Sequence, residues 1–151
     1  FLIPFIGWNQ KDAGEAGLRF AFKNEGYFES LVHLDQNTGI FDADITVNHL
    51  YLDDFLKYAQ VYADINSIHG ILNTHIRVSG NINEPENALV SSRTDLFDIE
   101  LIDKNDKKFL GAERVTTVVK KANYATQNYI VDSLILISPY VYFELKDSTN
   151  N

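Results

Sequence analysis

The chain has 151 residues, and its 13 Lys and Arg against 21 Asp and Glu give a formal net charge of −8. This acidic balance makes nucleic acid an unfavourable partner, because phosphate binding relies on clustered cations. The absence of cysteine excludes a disulfide framework, a thiolate nucleophile and a cysteine-based zinc site.

The first part of the chain alternates apolar and polar residues, the pattern of half-buried strands. Alternation over residues 18–23, 28–34 and 41–48 predicts three consecutive strands. The turn at 35–39 is rich in Asp, Asn and Gly, which tolerate the positive φ angles of hairpin turns. The sequence therefore predicts an amphipathic hairpin here.

The spacing of apolar residues changes after Tyr51. Apolar residues now recur every three or four positions, which predicts one short helix at about 51–63. Asp53 and Asp54 stand where carboxylates favour the start of a helix. The residues expected to pack this helix are Leu52, Phe55, Leu56 and Tyr62.

Strand patterns return after the helix. Residues 71–79 alternate between Gly70 and Gly80, and Pro85 ends the following connection. Further strands are expected at about 89–93, 96–103, 109–119, 129–137 and 140–145. The predicted fold class is mainly β (α+β), a twisted antiparallel meander sheet with one short helix.

The whole chain, residues 1–151, is predicted to be a single domain. It contains no methionine and starts with an apolar run, which favours an excised segment of a longer protein. We expect a lead-in at 1–16, a hairpin, helix and strand unit at 17–85, and a second sheet portion at 86–147.

Metal and cofactor sites are not expected from the sequence. His69 and His75 are the closest pair of histidines, but they stand six residues apart and outside any His-Glu-x-x-His pattern. The chain also has no Gly-x-Ser-x-Gly elbow and no phosphate-binding glycine loop. We therefore expect no cofactor and no metal.

Catalysis is not expected either, although two carboxylate pairs leave an alternative open. Asp42 with Asp44, and Asp98 with Glu100, stand at alternate strand positions, where an acid and a base face a common cleft in glycosidases. The same pattern is typical of the solvent face of a half-buried strand, which we favour. We therefore predict that the protein is not an enzyme.

One face of the sheet is predicted to be apolar, either as an open groove or as a closed core. Two C-terminal tyrosines, Tyr140 and Tyr142, are candidates for aromatic contacts with a ligand. The candidates for the groove or core face are Phe20, Phe22, Phe41, Ile45, Val47, Ile76 and Val78.

Several stretches together resemble one family. Residues 39–56 give a strand that leads to a short helix, and residues 68–85 give a strand with Gly70, Gly80 and a closing Pro85. Residues 109–145 are similar to a recurring sequence motif of the same family, in which a proline separates two strands. With these patterns the chain resembles the AsmA-like superfamily of large bacterial envelope proteins.

The resemblance implies a function and a location. The implied parent is anchored in the inner membrane and extends through the periplasm, where repeated β-groove units serve phospholipid transport or outer-membrane maintenance. The implied role of this chain is that of a non-catalytic structural and lipid-handling segment. Its implied partners are phospholipid acyl chains or neighbouring repeat units of the same chain.

A binding module of another class is the alternative. In a β-sandwich of an adhesin-like or virion structural protein, the sheet closes on a second sheet. Contacts with partners are then made by loops such as 35–39 and 103–107.

Overall fold

The fold is known from a computed structural model that describes residues 13–22 and 25–143. These residues form one eight-stranded antiparallel sheet. The predicted mainly β meander is confirmed. The strands are β1 (Ala13–Ala21), β2 (Tyr27–Asp35), β3 (Ile40–Tyr51), β4 (Ile65–Asn81), β5 (Leu89–Asp103), β6 (Lys108–Asn123), β7 (Asn128–Ile137) and β8 (Tyr140–Val141).

The strands from β1 to β7 lie side by side in chain order. Such a meander needs only short connections, because each strand pairs with the one before it. The two-residue β8 pairs with β6 beyond the end of β7, with Val141 opposite Leu110. The second sheet portion, expected at 86–147, thus continues the first as far as residue 143, since β5 pairs with β4. Residues 144–147 of this prediction lie outside the described residues.

The helical segment between β3 and β4 is shorter than predicted. A 3-10 turn, Leu52–Phe55, leads into α1, Leu56–Ala59, and another 3-10 turn covers Pro85–Asn87. Residues 60–63 are exposed, so no packed apolar stripe extends the helix beyond Ala59. The expected helix at 51–63 is therefore confirmed only over its first two-thirds.

The turn between β2 and β3 has the predicted hairpin chemistry. Oδ1 of Asp35 accepts a hydrogen bond of 2.8 Å from the Asn37 amide, and Gly39 has a φ of 75°. Glycine adopts this left-handed conformation without the steric cost that a Cβ brings. The turn fixes the register in which Phe41 lies opposite Leu34.

Two strands are longer than the sequence indicated. The strand expected at 71–79 begins at Ile65 instead, with a β-bulge between His69 and Ile71 where Gly70 has a φ of 146°. The separate strands expected at 89–93 and 96–103 are one strand, β5. In both cases cross-strand pairing carries the backbone through an interruption of the apolar alternation.

The sheet is a single layer within residues 13–22 and 25–143. Only Ile65 and Ala112 among the hydrophobic residues described are fully buried. Most apolar side chains are half-buried, because no second sheet covers them in this part of the chain. The alternative of a closed β-sandwich is therefore wrong for the described residues.

Candidate functional site: the apolar face of the sheet

One face of the sheet carries a continuous apolar surface. Residues directly opposite each other in an antiparallel ladder lie on the same face, so the register assigns the faces. We call the following set the apolar face: Leu18, Phe20, Phe28, Val32, Leu34, Phe41, Ala43, Ile45, Val47, Ile76, Val78, Val90, Leu96, Val115, Val119, Val131, Leu134 and Leu136.

An aromatic cluster lies on the apolar face between β1 and β2. The rings of Phe20 and Phe28 stack with centroids 4.9 Å apart and an interplanar angle of 14°. Phe22, just after β1, meets Phe20 edge to face at 5.7 Å. Such pairs stabilise beyond the area they bury, by about 0.5–1.5 kcal/mol each. The cluster gives this end of the apolar face a fixed shape.

The structure brings the sequence-predicted groove residues together. Phe20 lies opposite Phe28, which lies opposite Val47 on its other side. Ile45 lies directly opposite Ile76. All seven side chains of this set are half-buried, which leaves part of each accessible. Whether they bind a ligand stays a prediction. The seven are Phe20, Phe22, Phe41, Ile45, Val47, Ile76 and Val78.

A row of threonines crosses the apolar face and was not predicted. Thr74 lies opposite Thr94, which in turn lies opposite Thr117. The hydroxyls of Thr74 and Thr94 are 2.8 Å apart, and Thr74 Oγ1 also donates to the Arg93 carbonyl at 3.2 Å. The row gives an otherwise apolar surface a line of hydroxyl groups. Each threonine alone carried no signal, because the row exists only through the register.

The opposite face, called here the polar face, carries paired charges. Asp44 Oδ1 accepts hydrogen bonds from Arg77 Nε at 2.9 Å and lies 3.1 Å from His75 Nε2. The hydrogen bond from Arg77 is the main reason that the pKa of Asp44 is lowered, with a smaller contribution from His75 against the effect of desolvation. The contrast between the two faces makes the sheet amphipathic.

The polar face also contains a shallow cavity of about 350 Å³. Asp42, Asp44 and Arg77 line one side, and Lys120 and Lys121 line the other. Arg77 already pairs with Asp44, and Lys120 pairs with Asp132. The cavity therefore presents charges of both signs that largely neutralise each other.

Asp98 and Glu100, one of the two carboxylate pairs considered for catalysis, have different surroundings. Glu100 Oε2 lies 2.6 Å from Lys108 Nζ, a contact that lowers the pKa of Glu100. Asp98 is exposed, in a left-handed backbone conformation with a φ of 49°. A general acid at neutral pH needs a raised pKa, which Glu100 does not have.

The two histidines considered for metal binding lie apart, and each contacts a different aspartate. His69 Nδ1 is 2.5 Å from Asp53 Oδ1, while His75 contacts Asp44. Between residues 13 and 143, leaving out 23 and 24, no three metal-ligating side chains come together.

The predicted helix-packing residues divide into two kinds. Leu52 and Leu56 are half-buried, and Leu52 Cδ1 lies against the position of Gly70. Phe55 is 42% exposed, and the centroid of its ring lies 6.2 Å from that of Tyr58. Tyr62 follows the helix and is 91% exposed, so it does not pack against the sheet.

The two C-terminal tyrosines lie beside lysines at the start of β6. Lys108 Nζ is 5.8 Å from the ring centroid of Tyr140, and Lys107 Nζ is 5.8 Å from that of Tyr142. Both rings thus have cation partners within the chain. Their role as ligand contacts stays a prediction.

Comparison with known proteins found no relative of this chain. No family model, no curated protein and no solved structure matches the chain. Within the part of the chain that the structure describes, no helix combines the length and apolar character needed to cross a membrane.

Proposed function

We propose that this chain is a non-catalytic structural and lipid-handling segment of an AsmA-like envelope protein. The observation that carries the proposal is the apolar face, a continuous surface across seven strands whose side chains are half-buried or exposed. In this proposal the parent protein is anchored to the inner membrane and this segment works in the periplasm, as the sequence resemblance implies.

The chemistry of the apolar face supports acyl chains as the ligand. Removing apolar surface from water gains roughly 25 cal/mol per Å², and exposed apolar patches of several hundred Å² mark binding sites. Acyl chains need no hydrogen-bond partners, which suits the aliphatic region around Ile45, Ile76 and Val78. The hydroxyl groups on this face, those of the threonine row and of Ser30 and Ser92 opposite Ile45 and Ile76, could contact a lipid headgroup or ester.

The experiment is a binding titration with cis-parinaric acid, a fluorescent fatty acid, followed by native mass spectrometry with phosphatidylethanolamine. Ile45→Asn places an amide on the apolar face, whereas Thr46→Asn places the same amide on the polar face one residue away. We expect Ile45→Asn to weaken binding at least about fivefold, since an unpaired polar group in an apolar site costs about 1–3 kcal/mol. Thr46→Asn is expected to change the affinity less than twofold.

Two results would contradict the proposal. One is a wild-type chain that binds neither parinaric acid nor the phospholipid. The other is an equal loss of binding in both variants, which would locate the ligand away from the apolar face. Circular dichroism of both variants checks that the sheet is intact.

A further inference from the structure

Strand β7 forms one edge of the sheet. It runs for 10 residues beside β6, and no other strand within the described residues pairs with its outer side. An unpaired edge presents a row of backbone N–H and C=O groups that another strand can bind. The register with β6 runs without interruption from Ser133 to Ile137.

The side chains of β7 are apolar on both faces of the sheet. Val131, Leu134 and Leu136 lie on the apolar face. Ile130, Ile135 and Ile137 lie opposite polar-face residues of β6, so they project on the polar face. All six are between 40% and 63% exposed. The six are Ile130, Val131, Leu134, Ile135, Leu136 and Ile137.

The edge strand β7 has few charged side chains that would oppose pairing with another strand. The only Asp, Glu, Lys, Arg or His on β7 is Asp132, and it forms an ion pair with Lys120 of the neighbouring strand. Sheet edges that stay in solvent usually carry lysines, inward-pointing charges or proline to prevent pairing. From Ser133 to Ile137 the edge carries none of these.

The opposite edge, β1, has a different character. It contains Gly14 and Gly17, and its Glu15 and Arg19 lie near His33 and Glu29 at 3.9 Å each. A charged, glycine-containing edge offers few apolar side chains to match those of β7. The better complement to β7 is β7 itself.

We propose that β7 pairs with β7 of a second copy, antiparallel, about a twofold axis perpendicular to the sheet and close to Leu134. This axis keeps like faces together, so the apolar faces of two copies join in one sheet. With the axis at Leu134, Asp132 of one copy lies opposite Leu136 of the partner subunit, and no like charges meet directly. An isologous contact of this kind closes the assembly at two copies.

The pairing does not depend on lipid binding, and the oligomeric state tests it. Sedimentation equilibrium of the wild-type chain is expected to show a species of twice the 17.2 kDa monomer mass. The double variant Leu134→Lys with Ile135→Lys is expected to weaken the dimer at least tenfold. A matched control, Leu18→Lys, places a lysine at a 45% exposed leucine on the opposite edge and is expected to leave the dimer unchanged.

Cysteine cross-linking tests the position of the axis in a chain that has no cysteine of its own. With the axis at Leu134, Leu134→Cys faces its own copy and is expected to form disulfide-linked dimers under mild oxidation. Ser133→Cys and Ile135→Cys then face each other and are expected to cross-link when the two variants are mixed. Leu18→Cys is expected to remain monomeric on a non-reducing gel.

Three results would overturn the proposal. They are a wild-type chain that stays monomeric at 100 µM (about 1.7 mg/ml), an assembly that grows beyond two copies, and a dimer that Leu18→Lys dissociates but the β7 variant does not. Absence of cross-links at all three β7 positions would also overturn it. Because the cross-linking variants keep the apolar edge, they remain informative if the double lysine variant fails to fold.

Discussion

Thr116 Oγ1 donates a hydrogen bond of 2.5 Å to Oδ1 of Asp95 across β5 and β6. The same carboxylate accepts hydrogen bonds from Arg114 Nη2 at 2.8 Å and Arg93 Nε at 3.0 Å. Thr116 is 2% exposed and the Asp95 side chain 14%. Burial raises the pKa of Asp95, but hydrogen bonds from Thr116, Arg114 and Arg93 outweigh it and lower the pKa to about 2.

The lowered pKa makes Asp95 a source of stability that depends on pH. A carboxyl with a folded pKa of about 2 and an unfolded pKa near 3.8 stabilises the fold above pH 4, and this contribution is lost as the pH falls from 4 to 2. The shift corresponds to about 2 kcal/mol. We predict that Asp95→Asn lowers the free energy of unfolding by about this amount at pH 7, as measured by urea denaturation.

The difference between Asp95→Asn and the wild type should shrink between pH 4 and pH 2. Asp42→Asn is the matched control, because Asp42 is exposed on the same face and its loss should change stability by less than about 0.5 kcal/mol. A difference between Asp95→Asn and wild type that stays constant down to pH 2 would contradict this account.

Asn123 joins two turns at one end of the sheet. Its Nδ2 donates to the Asn87 carbonyl at 2.8 Å, and its Oδ1 accepts from the amide and the hydroxyl of Thr126 at 2.8 and 2.7 Å. The side chain is buried, so removing it leaves these groups without partners. We predict that Asn123→Ala lowers the free energy of unfolding by about 2 kcal/mol in urea titrations.

A matched asparagine tests whether burial is the reason. Asn105 also lies in a turn between two strands, but it is exposed, and its amide side chain makes only a 3.4 Å contact with Asp103. Asn105→Ala should therefore cost less than about 0.5 kcal/mol. Similar losses in both variants would mean that turn propensity, not the buried hydrogen bonds, sets the effect.

The helical segment offers a comparison between a packed and an unpacked residue. Leu52 is half-buried beside Gly70, whereas Tyr62 is 91% exposed. We predict that Leu52→Ala lowers the free energy of unfolding by about 1–2 kcal/mol and that Tyr62→Ser changes it by less than about 0.5 kcal/mol. Thermal denaturation of the two variants measures the contrast, and a larger loss for Tyr62→Ser would contradict the assigned packing.

The hairpin of β2 and β3 could be predicted because its signals are local. Phe41 and Ile45 stand at alternate positions, and the turn before them contains the Asp35 and Gly39 that its geometry requires. Alternation also indicates which side chains share a face within one strand. These features depend on neighbours in sequence, and the structure agrees with them.

Features that depend on pairing between distant strands could not be read in the same way. Thr94 and Asp95 fall between the two strands predicted at 89–93 and 96–103, yet Asp95 is held by residues of β6 about twenty positions later. The threonine row on the apolar face likewise depends on register across three strands. Neither the continuous β5 nor the threonine row has a local signal.

Gly26, just before β2, lies against the backbone of β3. A Cβ at this position would lie 2.3 Å from the His49 carbonyl oxygen and 2.6 Å from that of Asn48, both of them backbone atoms. His49 itself has a φ of 52° at the β-bulge of β3, where its amide donates to Asn73 Oδ1 at 2.7 Å. A methyl group at Gly26 would therefore require the backbone at His49 to move.

We therefore predict that Gly26→Ala lowers the free energy of unfolding by at least about 2 kcal/mol. Gly17→Ala is the matched control, since a Cβ there meets Leu31 Cδ1 at 3.6 Å, an ordinary contact. In a strand this second change should be neutral or stabilising by about 0.5 kcal/mol, because alanine has less conformational freedom to lose. Urea titrations of the two variants measure the difference, and equal stabilities would show that the bulge at His49 yields to the added methyl group.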